Sequence, residues 1–177
     1  MGRMPAPRCN TAGFVSGCKT RPHMEFTKRK YDSFRQFRED LAFLWANRKR
    51  VNALAEGKAL DPAFQARLIL AVTQANKCTL FSLMVTQHAA NAGLSAEETS
   101  ALMAGDADSV QEEHAPAVLY ARHWAQSDGQ PDPQATAAMA RAYGAETLDQ
   151  VHFLIRVIHI SNRFCNTLEY WKRRVGL

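Results

Sequence analysis

Two Asp-Pro steps fix where helices of this chain begin. At Asp61-Pro62 and again at Asp132-Pro133 the aspartate offers an N-cap side chain, and the proline occupies the first helical position, where its missing N–H costs nothing. The first step predicts an apolar helix from Pro62 to about Asn76. Cys78 then falls at or just inside the start of the next helix, which takes in Phe81, Leu83, Met84 and His88 and stops at Gly93. Ser95 with Glu98 forms a capping box for a short helix ending near Gly105. The second Asp-Pro step opens a helix that closes at Gly144, and Thr147 with Gln150 caps a long last helix from about Leu148 to Arg173. No stretch alternates with period two for long enough to make a strand, so the class is all-α.

The remaining elements are less sharply marked. Phe34, Phe37, Leu41, Leu44, Val51 and Leu54 recur at spacings of three, four or seven, one apolar stripe of a helix running from Tyr31 to near Gly57. A further helix spans roughly Val110 to Gln126, with Pro116 either kinking it or marking its true start. Asn76-Lys77-Cys78-Thr79-Leu80 shares wording with Asn162-Arg163-Phe164-Cys165-Asn166, which raises a possible helical-hairpin repeat.

At 177 residues, 46% of them apolar, the chain is long enough for one sizeable core, and a single domain is expected over residues 28–177. Residues 1–27 combine glycine, proline and basic residues without periodicity and read as a flexible tail. Residues 1–58 hold thirteen Lys and Arg against five Asp and Glu, whereas residues 59–177 hold nine against twelve, so the basic bias belongs to the amino-terminal part. No nucleic-acid reader motif accompanies it, and interleaved Phe34, Phe37 and Leu41 suit helix packing better. No run approaches the roughly 20 apolar residues of a membrane span. Nor do the first 27 residues carry a secretory signal, so no membrane association and a cytoplasmic location are expected. The four cysteines, Cys9, Cys18, Cys78 and Cys165, make no dense framework and are expected to be reduced. Cys9 and Cys18 are too far apart in the tail to be pre-organised as a pair.

An apolar helix ending in V-x-x-x-N-x-C (Val72, Asn76, Cys78), followed by a helix closing in A-G-L-S-x-E-E (Ala92 to Glu98), resembles the alkylhydroperoxidase D and carboxymuconolactone decarboxylase superfamily. With a looser downstream match the resemblance covers roughly residues 40–172. It implies an AhpD-like helical bundle, a trimer or hexamer, and in many members an antioxidant thiol peroxidase built on C-x-x-C, a histidine and an upstream glutamate. Cys78 takes the first cysteine position, while Phe81, Val85 and Ala66 stand where the second cysteine, the histidine and the glutamate are expected. His88 lies three residues past the histidine position.

Cys78 beside a helix amino terminus, with Lys77 next to it, should have its thiolate favoured, and a thiolate can attack a peroxide oxygen. The sulfenic acid so formed needs a resolving thiol, which Cys165 supplies if the two halves pack together. The other reading makes Cys78 a small buried hydrophobe. His88, ten residues on and about 15 Å along a helix axis, does not reach Cys78 directly. His152 and His159 share a helix face and could line a pocket or hold a metal, although a packed histidine satisfied by a backbone carbonyl is the simpler account. His114 and His123 are assigned solvated or packing roles, Tyr120 and Trp124 core packing, and Glu112 and Glu113 a helix-dipole role near the start of the fifth helix. Glu169 either replaces the missing acid or pairs with Arg173 four residues on. Phosphate loops, nucleophile elbows and close histidine pairs are absent, so neither a cofactor nor a metal is expected.

Three functions follow. The first is a divergent thiol peroxidase acting on a small hydroperoxide through Cys78, Cys165 and His88. The second is a non-redox member that binds a small organic ligand or serves as an interaction protein, with an inert Cys78. The third is a cofactor-free lactone decarboxylase, which requires a general acid beside a cationic clamp such as Arg67 or Arg156. A homo-oligomer is expected because Val151, Phe153, Leu154, Ile155, Val157, Ile158 and Ile160 put apolar residues on more than one face of the last helix.

Overall fold

A computed structural model describes residues 26–57 and 60–176. The described residues form seven helices and no strand, as the absence of period-two patterning predicts: α1 Phe34–Ala46, α2 Arg48–Ala55, α3 Pro62–Ala75, α4 Thr79–Asn91, α5 Ala96–Ala104, α6 Ala115–Gln126 and α7 Pro133–Val175. Asp61, Ser95 and Asp132 each accept a backbone N–H of the first helical turn through the side chain, at the start of α3, α5 and α7. Among the described residues no helix is long and apolar enough to cross a membrane.

α3 is the central element. Every residue from Phe64 to Thr73 is buried, and the helix packs against α4, α5, α6 and α7. A helix with apolar residues on every side, interrupted by a few buried polar ones such as Arg67, packs in the middle of such a group. Leu68, Leu70, Leu102, Leu154 and Ile155 fill the space around it with no more than 2% exposure.

Three boundaries differ from those predicted. The expected helix from Tyr31 to Gly57 is broken at Asn47, whose side-chain amide donates to the Phe43 carbonyl and whose backbone leaves the helical region. An asparagine that competes for its own helix's carbonyls is a local breaker that an apolar stripe does not register. The helix expected from Val110 starts at Ala115, so Pro116 marks a start and not a kink; its ring would clash with the turn before it inside a helix. Gly144, with φ of 81° and ψ of 162°, interrupts α7. The helix resumes directly afterwards, so Thr147 lies inside it and is not its cap. Asn76 closes α3 whereas Asn162 lies within α7, so their shared wording does not mark equivalent backbone positions.

The segment expected to be tail through residue 27 begins its packing earlier. Phe26 meets Tyr170 edge to face at 5.4 Å, and Arg173 lies over the Phe26 ring. Residues 1–25, with Cys9 and Cys18, lie outside the described residues.

The stripe on α7 that suggested an oligomer is satisfied within one chain. Val151, Phe153, Leu154, Ile155, Ile158 and Ile160 are all buried, Phe153 in part by Phe43 of α1 at 5.8 Å. The exposed apolar residues sit elsewhere: Leu80, Leu83 and Met84 on α4, and Phe34, Leu41 and Trp45 on α1.

Candidate functional site

The corner between α3 and α4 positions Cys78. Lys77 adopts φ of 54°, the Lys77 N–H bonds back to the Gln74 carbonyl at 3.0 Å, and the Cys78 N–H bonds to the Thr73 carbonyl at 3.3 Å. This is the 6→1 and 5→2 pairing that ends a helix with one left-handed residue. The chain thus reverses in a single residue and presents Cys78 both as the last partner of α3 and as the N-cap of α4. Its side chain is 1% exposed, and the Cys165 thiol of α7 is an electrostatic neighbour that disfavours its ionisation. The structure therefore brings together the two cysteines that were expected to meet only if the halves packed on each other.

Burial pushes the Cys78 thiol up to about 11, aided by Cys165; the Phe81 N–H in the first turn of α4 and the Lys28 ammonium pull it down without winning. The expected favoured thiolate is corrected accordingly. A helix amino terminus contributes partial charges over one turn, whereas loss of solvent acts on the whole ion. Lys28 reaches over the corner, donating to Thr79 Oγ1 and to Glu169 Oε2 at 2.6 Å. Glu169 also accepts from Arg173 at 2.5 Å. The Glu169 carboxyl is held below its usual range: burial raises it, but Lys28 and Arg173 together outweigh that. Glu169 thus makes the expected pair with Arg173 and, with Lys28, a two-cation clamp that fastens residue 28 to the last helix.

Behind Cys78 runs a buried polar seam that the sequence reading did not find. Asn166 donates to the carbonyls of Asn76 at 2.9 Å and Arg29 at 2.8 Å, and Asn76 Nδ2 meets His159 Nδ1 at 3.1 Å. With Nδ1 accepting, the imidazole carries its proton on Nε2 and donates to Asp128 Oδ1 at 2.9 Å. Side chains, not a backbone carbonyl, satisfy this histidine. Asp128 itself sits at φ of 57° and is flanked by Arg163 and Arg29. The available signal was Asn166 and His159 on the same helix, seven residues apart and so on one face.

The His159 hydrogen bond, with Arg163 and Arg29 behind it, holds the Asp128 carboxyl near about 2. Its folded value is depressed from an unfolded value near ~3.9, so its contribution is present above the unfolded value and lost as pH falls through about 2. Urea midpoints measured from pH 5 downwards should fall more steeply for the wild type than for Asp128→Asn between roughly pH 4 and 2. Parallel curves would show that the pair adds nothing.

His88 is not part of this site. It is exposed in the last turn of α4, and the rise of the helix carries it away from Cys78 at the first residue. His152 pairs with the Tyr120 hydroxyl at 2.6 Å, and burial lowers its pKa. Among the described residues no group of three or more His, Cys, Asp or Glu could hold a metal. Ala66, Phe81 and Val85, at the positions of the missing glutamate, cysteine and histidine, are core or core-packed residues. Glu112 and Glu113 lie in the turn before α6. Arg156 is stacked on Phe43. Arg67 does meet an acid: its Nε and Nη2 donate to Glu98 at 2.6 and 3.3 Å and its Nη1 to His114 Nδ1 at 2.9 Å, which leaves that carboxylate engaged on both oxygens.

An apolar cavity of about 250 Å³ opens beside the thiol pair, walled by Tyr31, Phe37, Leu41, Leu44, Ile160 and Phe164, with Ser161 and Cys165 in its lining. Cys165 is only half-buried.

No family model, curated protein or solved structure matches this chain.

Proposed function

We propose that this chain is a divergent thiol protein of the alkylhydroperoxidase D type that reduces organic hydroperoxides with Cys78 and Cys165 as its dithiol. The neighbourhood of the two free thiols carries the reading, since it supplies a candidate resolving partner that Phe81 cannot. One thiol sulfur attacks a peroxide oxygen, the O–O bond breaks and an alcohol leaves, giving a sulfenic acid. The second thiol displaces its oxygen as water and closes a disulfide, which an external dithiol reduces. The exposed Leu80, Leu83 and Met84 on α4 support a homo-oligomer around the same fold.

A second reading, a non-redox binder of a small organic molecule, is favoured by the near-complete burial of Cys78 and by the apolar cavity. Turnover separates the two. Reduced protein with an external dithiol should consume cumene hydroperoxide with saturation, and the Cys78→Ser, Cys165→Ser double variant should be slower by about a hundredfold or more. If the wild type consumes peroxide no faster than the double variant, the thiols are structural and ligand binding in the cavity becomes the function to pursue.

A further inference from the structure

The two thiols are not equivalent, and the difference reverses the roles that their order in the sequence suggests. Cys78 is 1% exposed and lies under the clamp of Lys28, Thr79 and Glu169. Cys165 is half-buried and is one of the residues lining the apolar cavity between α1 and α7. A peroxide bound in that cavity meets Cys165 first; to meet Cys78 it must pass Cys165 or displace the segment around residue 28.

We infer that Cys165 is the thiol that attacks the hydroperoxide, that Cys78 behind it resolves the sulfenic acid, and that the apolar cavity selects alkyl or aryl hydroperoxides over hydrogen peroxide. The inference rests on the dithiol peroxidase reading above. Cys165 Sγ attacks the terminal peroxide oxygen as the O–O bond breaks, and the thiol proton passes to the leaving alkoxide, giving Cys165–SOH and an alcohol. The Cys78 sulfur then attacks the Cys165 sulfur, and its proton leaves with the hydroxyl as water. One peroxide is reduced by two electrons, and the dithiol becomes one disulfide.

The assignment fits the electrostatics of the pair. Burial makes Cys78 a poor nucleophile towards a freely diffusing oxidant, with a thiol pushed up to about 11. Resolution asks less of it, because the sulfenic sulfur is held against it and the departing oxygen can take its proton. The cavity supplies specificity by burying the organic group: Tyr31, Phe37, Leu41, Leu44 and Ile160 offer it an apolar wall. Hydrogen peroxide gains nothing from that wall.

The test uses full-length reduced protein, one equivalent of cumene hydroperoxide and a dimedone-type sulfenic-acid trap, read by peptide mass spectrometry. Cys78→Ser should consume no more than about one equivalent and carry the trap on Cys165. Cys165→Ser should be slower by about tenfold or more and carry none on Cys78. The wild type should consume cumene hydroperoxide at least about tenfold faster than hydrogen peroxide. Trap on Cys78 in Cys165→Ser at the wild-type rate overturns the assignment while leaving the peroxidase reading intact, and equal rates with the two peroxides overturn the cavity's role. A wild type inert to both peroxides removes the peroxidase reading itself. Alkylation of the wild type at pH 8 tests the same asymmetry without a substitution: Cys165 should react at least about tenfold faster than Cys78, and the reverse order would overturn the inference.

Discussion

Arg67→Ala should lower the stability of this protein by about 3–5 kcal/mol. Arg67 is 5% exposed in the middle of α3, and it ties that helix to α5 through both oxygens of Glu98 and to the start of α6 through His114. An arginine so placed returns little net stability over a hydrophobic residue, because desolvating its charge offsets most of the ion-pair attraction. Removing it alone is a different matter. The Glu98 carboxylate, with 15% of its side chain exposed, would remain without its cation, and His114 would lose the donor at Nδ1 while staying packed against Phe64. The double replacement Arg67→Met with Glu98→Leu should recover most of the loss, since it leaves neither charge stranded. Urea denaturation of the three proteins measures this directly. A loss below about 1 kcal/mol for Arg67→Ala would mean that Glu98 and His114 find solvent once the arginine is gone.

Features set within three or four residues could be read from the sequence, and features set by neighbours could not. Asp61, Ser95 and Asp132 cap the helices they were expected to cap, because a cap is an aspartate or serine oxygen meeting a backbone N–H two or three residues away. The apolar faces of α7 were equally visible in the sequence, yet the oligomer drawn from them does not follow. Periodicity reports how many faces a helix needs covered; α1, α3 and α6 of the same chain cover them. At Cys78 a local cue and a tertiary one oppose each other. The helix start was legible and favours the thiolate, but the burial that outweighs it depends on α7 and on the segment at residue 28. His88 illustrates the same limit, since a histidine close in sequence on one helix is carried away by its rise, whereas His159 reaches the seam beside Cys78 from the far end of the chain.

Asn166→Ala is expected to cost about 2–4 kcal/mol and, more tellingly, to unlock Cys78. The Asn166 amide is fully buried and splits its two N–H groups between the Asn76 carbonyl, at the end of α3, and the Arg29 carbonyl, in the segment lying over the corner. Alanine strands both acceptors out of reach of water, each at the cost of an unmade buried hydrogen bond. The corner and the overlying segment are then fastened to α7 by fewer groups, chiefly the Lys28–Glu169 pair and the bond from the Tyr31 N–H to Thr167 Oγ1 at 3.0 Å. Local opening of the segment should become easier by a larger factor than global unfolding, because its remaining contacts are partly exposed. Alkylation of Cys78 in Asn166→Ala should therefore accelerate by about tenfold or more, with Cys165, already facing its cavity, changing far less. Equal acceleration at both thiols would point to global unfolding. If both rates stay unchanged while stability falls, the segment over Cys78 is held by contacts other than Asn166, and the buried thiol is reached by a local opening that does not involve unfolding of the whole chain.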